Sequence, residues 1–154
     1  VISGFGNACD AYHQTASSPE GEGAWLSMRQ ALDSAALQPS DIGYVNAHGT
    51  GTKNNDLSEG VALERIFAEG LPPVSSTKAY TGHTLGAAGA VEAVISLISL
   101  QEEFLFPNLR FETPMSELKF TPITDAVHRR VDHIMSNSFG FGGNNSTLIF
   151  SRSV

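Results

Sequence analysis

The sequence predicts an α/β fold built on one largely parallel sheet. Two observations carry this. Strand-like and helical segments alternate, in the order β-α-β-α-β-α-β-β. Two adjacent strand-like segments close the chain and add an antiparallel edge.

Residues 1–5 form a short strand ended by Gly6, and a polar loop over 7–20 follows. Ala24, Trp25, Met28, Ala31, Leu32, Ala35 and Ala36 recur at helical spacing, which predicts an amphipathic helix over about 20–37. Pro39-Ser40-Asp41 punctuates, residues 42–46 form a strand, and 47–54 form a Gly/Thr loop. A helix over about 56–69 is capped by Asn55 or Asp56 and stopped by Gly70 and Pro72-Pro73. A brief strand at 73–76 leads to a loop at 77–83. The longest helix, about 84–102, is apolar on nearly every face through Leu85, Val91, Val94, Ile95, Leu97, Ile98 and Leu100, which predicts central burial. Residues 104–130 read as irregular. Strands at 131–137 and 146–151 close the sheet around a loop at 138–145.

The 154 residues suffice for one domain with a core. With 16% charged residues and 15 Gly, the chain is charge-poor and loop-rich, so part of its surface is expected to lie against another domain or subunit. A net charge of −7 without a basic run argues against nucleic acid, which needs clustered Lys or Arg. A single Cys rules out an internal disulfide framework and fits a reducing cytoplasm. Glu92, Ser96 and Ser99 interrupt the longest apolar stretch, so no membrane span is expected, and no signal peptide is visible. The opening Val-Ile-Ser-Gly-Phe-Gly is already strand-like, as in the middle of a longer protein.

Three loops follow strand ends, where open α/β sheets place ligands. They are Asn46-Ala47-His48-Gly49-Thr50-Gly51-Thr52, then Ser75-Ser76-Thr77-Lys78-Ala79-Tyr80-Thr81-Gly82-His83, then Ser136-Asn137-Ser138-Phe139-Gly140-Phe141-Gly142-Gly143-Asn144. Together they bring two His and one Lys beside Gly-rich backbone that a substrate can approach closely. A lone His is more often a hydrogen-bonded structural residue, but the small and hydroxyl neighbours of His48 leave its ring accessible. His83 precedes the long helix, whose positive end favours a neutral ring able to donate to a carbonyl; the alternative is a simple cap. Glu92 is the one charge within the apolar part of that helix and needs a partner, either Lys78 or a His.

Other motifs fail. Neither Gly4-Phe5-Gly6 nor Gly140-Phe141-Gly142-Gly143 completes a dinucleotide fingerprint, and no Gly run leads into a P-loop Lys. His128 and His133 are spaced poorly for a shared metal. Cys9 is followed by Asp10, whose charge disfavours a thiolate nucleophile.

At the three loops the chain resembles the β-ketoacyl-acyl carrier protein synthases, the condensing enzymes of fatty acid and polyketide synthesis. The likeness runs essentially end to end. It includes Asp10-Ala11-Tyr12-His13 and Pro19-Glu20-Gly21-Glu22-Gly23-Ala24 as well as the run from Thr81-Gly82-His83 to Gly86 and Gly89. The resemblance implies a thiolase-like half-fold, a five-stranded mostly parallel mixed sheet layered with helices. Residues 1–154 would be the C-terminal half, and the nucleophilic Cys would lie in an N-terminal half. Phe141-Gly142-Gly143 stands where a thiolase carries its second Cys, which excludes that relative. Two departures concern subfamily and substrate: Lys53-Asn54-Asn55-Asp56 replaces the more usual Pro-x-Gly-Asp, and Asn144 stands where Thr is common.

What the resemblance implies for function is a decarboxylative Claisen condensation on malonyl-acyl carrier protein. His48, Lys78 and His83 would be catalytic, and Glu92 the charge partner of Lys78. Thr50, Thr52 and Phe139 would bind substrate, with the hydroxyls on the phosphopantetheine arm. The Phe141 N–H would complete an oxyanion hole while its ring gates the acyl pocket. No intrinsic cofactor is implied beyond a monovalent Na⁺ or K⁺ held by Asn46, Glu92, Ser136 and Asn137, an oxygen-rich set unlike a zinc site. Expected partners are acyl carrier protein, the N-terminal half and a second copy in a homodimer, in the cytoplasm. A non-catalytic chain-length-factor subunit is the alternative, although such partners usually lose active-site residues.

Overall fold

The computed structural model describes residues 1–153. Five strands form the main sheet: β1 (Ile2–Cys9), β2 (Tyr44–Asn46), β3 (Val74–Ser75), β6 (His133–Gly140) and β7 (Asn144–Ser151), in the order β1-β7-β6-β2-β3. β2 runs parallel to β3 and β6, while β7 is antiparallel to both β6 and β1. Only β7 is therefore reversed, and the sheet is mostly parallel in direction, as the sequence indicates. The closing hairpin, however, is not at the edge. β1 pairs with β7 along its length, from Ile2↔Phe150 to Cys9↔Asn144, and takes the edge itself.

That pairing also makes β1 longer than the strand predicted over 1–5. Gly6 does not end it but lets it approach helix α1 (Glu22–Ala35): a Cβ on Gly6 would lie 2.0 Å from the Ser27 carbonyl oxygen. α1 and α2 (Lys53–Ile66) cover one face of the sheet, and α4 (Ala88–Glu102) covers part of the other. Neighbouring strand residues divide between the two faces. Val45, Met135 and Ile149 join the cluster under α1 and α2, while Tyr44, Ile134 and Phe150 join the cluster on the α4 side.

Several boundaries differ from the sequence reading. α2 begins at Lys53 after Thr52, because Asp56, the expected cap, turns its carboxylate back to accept the Gly51 N–H at 3.2 Å. A short helix, α3 (Lys78–Thr81), occupies the loop expected over 77–83, and a 3₁₀ turn at Leu85–Ala87 precedes α4. Within 104–130, β4 (Phe104–Leu105) and β5 (Val127–His128) pair as a small antiparallel ribbon. β6 and β7 extend to leave only Phe141–Gly143 between them.

The largest correction concerns α4. It buries Glu92, Ser96 and Ser99 against the sheet and exposes Val94, Leu97 and Ile98, with Val94 57% accessible. The expectation of burial on all sides came from composition, but only one stripe of the helix meets this chain's own sheet. By length and composition alone Leu85–Glu102 could cross a membrane, a possibility the sequence reading sets aside because Glu92, Ser96 and Ser99 interrupt it. A charged pair with Lys78 on its sheet-facing side is the behaviour of a core helix.

Candidate active site

The strand ends deliver the three loops to one cleft of about 510 Å³, lined by His48, His83, Thr50, Thr52, Phe139 and Phe141 among others. Each reaches it for a local reason. β2 ends at Asn46, and His48 follows two residues on, in the strand alternation that carries Tyr44 and Asn46 to the α4 side. Its backbone is held from the other side. Glu59 of α2 accepts the His48 N–H at 2.9 Å on Oε1 and the Gly49 N–H at 2.8 Å on Oε2. Asn137 donates Nδ2 to the same Oε1 at 3.1 Å and accepts from the Thr147 hydroxyl at 2.9 Å. The His48 loop is thus tied to β6 and β7 through one buried carboxylate.

On the α4 side, Lys78 is buried at the start of α3. Its ammonium lies 3.2 Å from His48 Nδ1 and forms a buried ion pair with Glu92 Oε1. An ammonium has only protons to offer, so Nδ1 is the acceptor and the His48 proton resides on Nε2. Burial, with Lys78 and then His83 nearby, lowers the His48 pKa to about 3, which keeps the ring neutral. His83 is exposed at the cleft, and its Nδ1 accepts the Leu85 N–H at 3.3 Å, so its proton too sits on Nε2. The two rings meet edge to face, centroids 5.4 Å apart at 84°. Phe139 packs 5.7 Å from His48.

The remaining candidates occupy distinct places. The Thr50 and Thr52 hydroxyls lie 2.9 Å apart in the cleft wall. Phe141 projects from the β6–β7 turn at 80% exposure, and Gly142 behind it takes a left-handed φ of 81°, which a side chain would resist. Cys9 is exposed at the end of β1, its Sγ 3.4 Å from the Gly142 carbonyl, and is not among the residues lining the cleft.

The four residues assigned to a cation divide between the two faces of the sheet. Asn46 donates to the Glu92 carbonyl and to Ser96 on the α4 side, the side that Ser136, paired with Asn46, shares. The Asn137 side chain faces the opposite way, toward Glu59 and Met28. Glu59 itself was missed in the sequence, although a signal was present. It stands with Ala62, Leu63 and Ile66 on the buried stripe of α2, where a carboxylate needs donors. Burial raises its pKa, while the two backbone N–H groups and Asn137 pull it down. All three neighbours donate to it.

Residues 1–112 match the family described as the C-terminal domain of β-ketoacyl synthase. The chain belongs to this family. Among other β-ketoacyl synthases, it is 43% identical to 3-oxoacyl-[acyl-carrier-protein] synthase 2 of Staphylococcus aureus (strain COL), over 98% of this chain and 37% of that one. Identity to the Coxiella burnetii protein of the same name is 44%, again over 98% of this chain and 37% of the relative. The chain therefore spans somewhat over a third of the length of those relatives. The solved ketosynthase ApeO in complex with its chain length factor ApeC from Xenorhabdus doucetiae superposes with a TM-score of 0.92 at 41% identity, covering 99% of this chain and 39% of that one. A β-ketoacyl synthase from Burkholderia phymatum STM815 gives 0.91 at 37% identity, covering 99% and 37%. The thiolase-like, mostly parallel half-fold is the architecture these β-ketoacyl synthases share with it.

Proposed function

We propose that these residues are the C-terminal half of an active 3-oxoacyl-acyl carrier protein synthase. One observation carries the reading: two neutral imidazoles, their Nδ1 atoms occupied, each keep an Nε2–H beside the same cleft. That is a preorganised pair of donors for an oxygen that gains charge.

In this mechanism a cysteine of the N-terminal half first takes the acyl chain from acyl carrier protein as a thioester. The Phe141 N–H stabilises the oxyanion of that transfer, and the ring of Phe141 moves with its glycine turn to admit the chain. Malonyl-carrier protein then enters, its phosphopantetheine arm hydrogen-bonded by Thr50 and Thr52 and passing Phe139. Loss of carbon dioxide leaves an enolate whose oxygen receives hydrogen bonds from His48 and His83. The enolate carbon attacks the acyl thioester, and the cysteine leaves as thiolate. Lys78 holds the tautomer of His48 and the charge of Glu92. The parent protein would work in the cytoplasm as a homodimer with acyl carrier protein as partner.

A monovalent cation beside Glu92 fits the residues present. Glu92 Oε2 is buried without a hydrogen-bond partner, and two buried carboxyl groups, Glu59 and Glu92, lie near one buried lysine. Asn46 and Ser136 lie on the Glu92 side of the sheet, whereas the Asn137 side chain lies on the other. The ion would neutralise charge and brace the strand ends.

The test uses the full-length protein with acyl- and malonyl-carrier protein. The reading expects carbon dioxide and a 3-oxoacyl product, whereas the 154-residue chain alone makes none. A full-length protein that binds a ketosynthase partner but forms no product supports the chain-length-factor reading instead. Product from the isolated chain that Cys9→Ala abolishes would reinstate Cys9 as nucleophile.

A further inference from the structure

We propose that Asn54 is a positioning residue that sets the entrance of the cleft by holding the loop over residues 10–18. Its side chain makes a reciprocal pair of hydrogen bonds with one residue of that loop. Oδ1 accepts the Ser17 N–H at 2.9 Å, and Nδ2 donates to the Ser17 carbonyl at 3.2 Å. The carboxamide thus satisfies both backbone groups of Ser17, as a neighbouring strand would.

The position of this clasp gives it a function. Thr15, Ala16 and Ser17 line one side of the cleft, and Thr50, Thr52 and Asn54 line it from the second loop and the first turn of α2. Asn54 therefore joins the two walls by hydrogen bonds. The far side of the same loop is already fixed, by the Gly142 N–H to the Gln14 carbonyl at 2.8 Å and the Asp10 N–H to the Gly143 carbonyl at 3.0 Å. Arg65 donates to the Glu20 carbonyl at 2.9 Å, beyond the lining residues. Among the described residues, Asn54 supplies the side-chain tie at the mouth. Without it, Ser17 turns to water and the distance between the loop and the Thr50–Thr52 wall is no longer set.

The consequence for substrate rests on the condensing-enzyme reading. The arm that passes this mouth is long, flexible and amide-bearing, and a fixed wall lowers the ordering cost of binding it. Asn54 touches none of the reacting atoms, so its effect falls on arm binding rather than on decarboxylation.

The experiment compares wild type, Asn54→Ala and Asn54→Asp in the full-length protein. Asn54→Asp keeps the acceptor for the Ser17 N–H and loses the donor. Hydrogen exchange of the segment spanning residues 12–18 is expected to rise about tenfold in Asn54→Ala and less in Asn54→Asp, with the β6 segment unchanged. With malonyl-carrier protein, KM for decarboxylation is expected to rise about tenfold in Asn54→Ala while kcat stays within twofold, and Asn54→Asp to fall between. Faster exchange with unchanged KM would overturn the positioning role, as would a loss confined to kcat. Unchanged exchange would overturn the clasp itself. A wild-type protein that never decarboxylates malonyl-carrier protein would instead count against the condensing-enzyme reading, and exchange at residues 12–18 would still test the clasp.

Discussion

The Lys78 ammonium lies 3.2 Å from His48 Nδ1 and thereby decides which nitrogen of that ring keeps its proton. The same ammonium pairs with Glu92, so one buried lysine links the tautomer of a cleft residue to the charge of the helix behind it.

His48→Ala and His83→Ala in the full-length protein should each slow malonyl decarboxylation by about two to three orders of magnitude. Loss of one donor to a developing oxyanion costs about 3 kcal/mol. Acyl loading of the cysteine should suffer less. Single-turnover release of carbon dioxide checks this, and a normal rate in either variant would make that His structural.

Lys78→Ala strips Glu92, 1% exposed, of the ammonium that holds down a pKa burial already raises. Breaking a buried pair in this way costs roughly 3–5 kcal/mol. The melting temperature should fall by several degrees, and an unchanged value would contradict the pairing.

His48 also predicts a pH effect on stability. Its folded pKa, about 3, lies below the ordinary 6.5, so between these values the unfolded chain binds the extra proton. The stability it contributes is complete above about pH 6.5 and is lost as pH falls toward 3. Glu59 and Glu92, raised by burial, act with the opposite sign. The difference in unfolding free energy between wild type and His48→Asn isolates the histidine: it should shrink steadily from pH 6.5 downward. A difference independent of pH would mean that His48 titrates normally.

Glu59→Gln places an amide NH₂ against backbone donors. At least one of the His48 and Gly49 N–H groups then loses its acceptor, at about 1–3 kcal/mol. Chemical denaturation should register that loss, and decarboxylation should fall with it as the His48 loop loosens. Full stability in Glu59→Gln would remove Glu59 as the anchor.

The exposed residues Val94, Leu97 and Ile98 should drive self-association of the isolated 154-residue chain. Light scattering on a concentration series tests this. A strictly monomeric chain at high concentration would count against the half-fold reading.

Much of the fold was legible because strand and helix periodicities alternate cleanly and the glycine loops fall at strand ends. The position of β7 was not. Strand order depends on which edge finds a partner, and nothing local in residues 1–9 announces their pairing with 144–150. The roll of α4 was equally hidden, since a helix rich in Val, Ile and Leu shows no apolar face. At the site, His48, Lys78 and His83 stood out through their small-residue surroundings. Glu59 did not, although the helix expected over about 56–69 already puts it on one side with Leu63 and Ile66; that this side is the buried one emerges only from the packing of α2. The Asn54–Ser17 clasp joins residues 37 apart and has no periodic signature.

The polar stripe of α4 has one more effect. A cylinder that is greasy all round can spin about its axis with little penalty. Glu92, Ser96 and Ser99 give this one a key: spaced four and three residues apart, they lie on a single side, and that side faces the sheet. A slip of one residue turns the helix by about 100° and would swing Glu92 away from Lys78. Lys78 would then lose the ion pair that sits beside its contact with His48. The orientation of one helix about its own axis is in this way written into the protonation pattern of a ring on a different strand's loop.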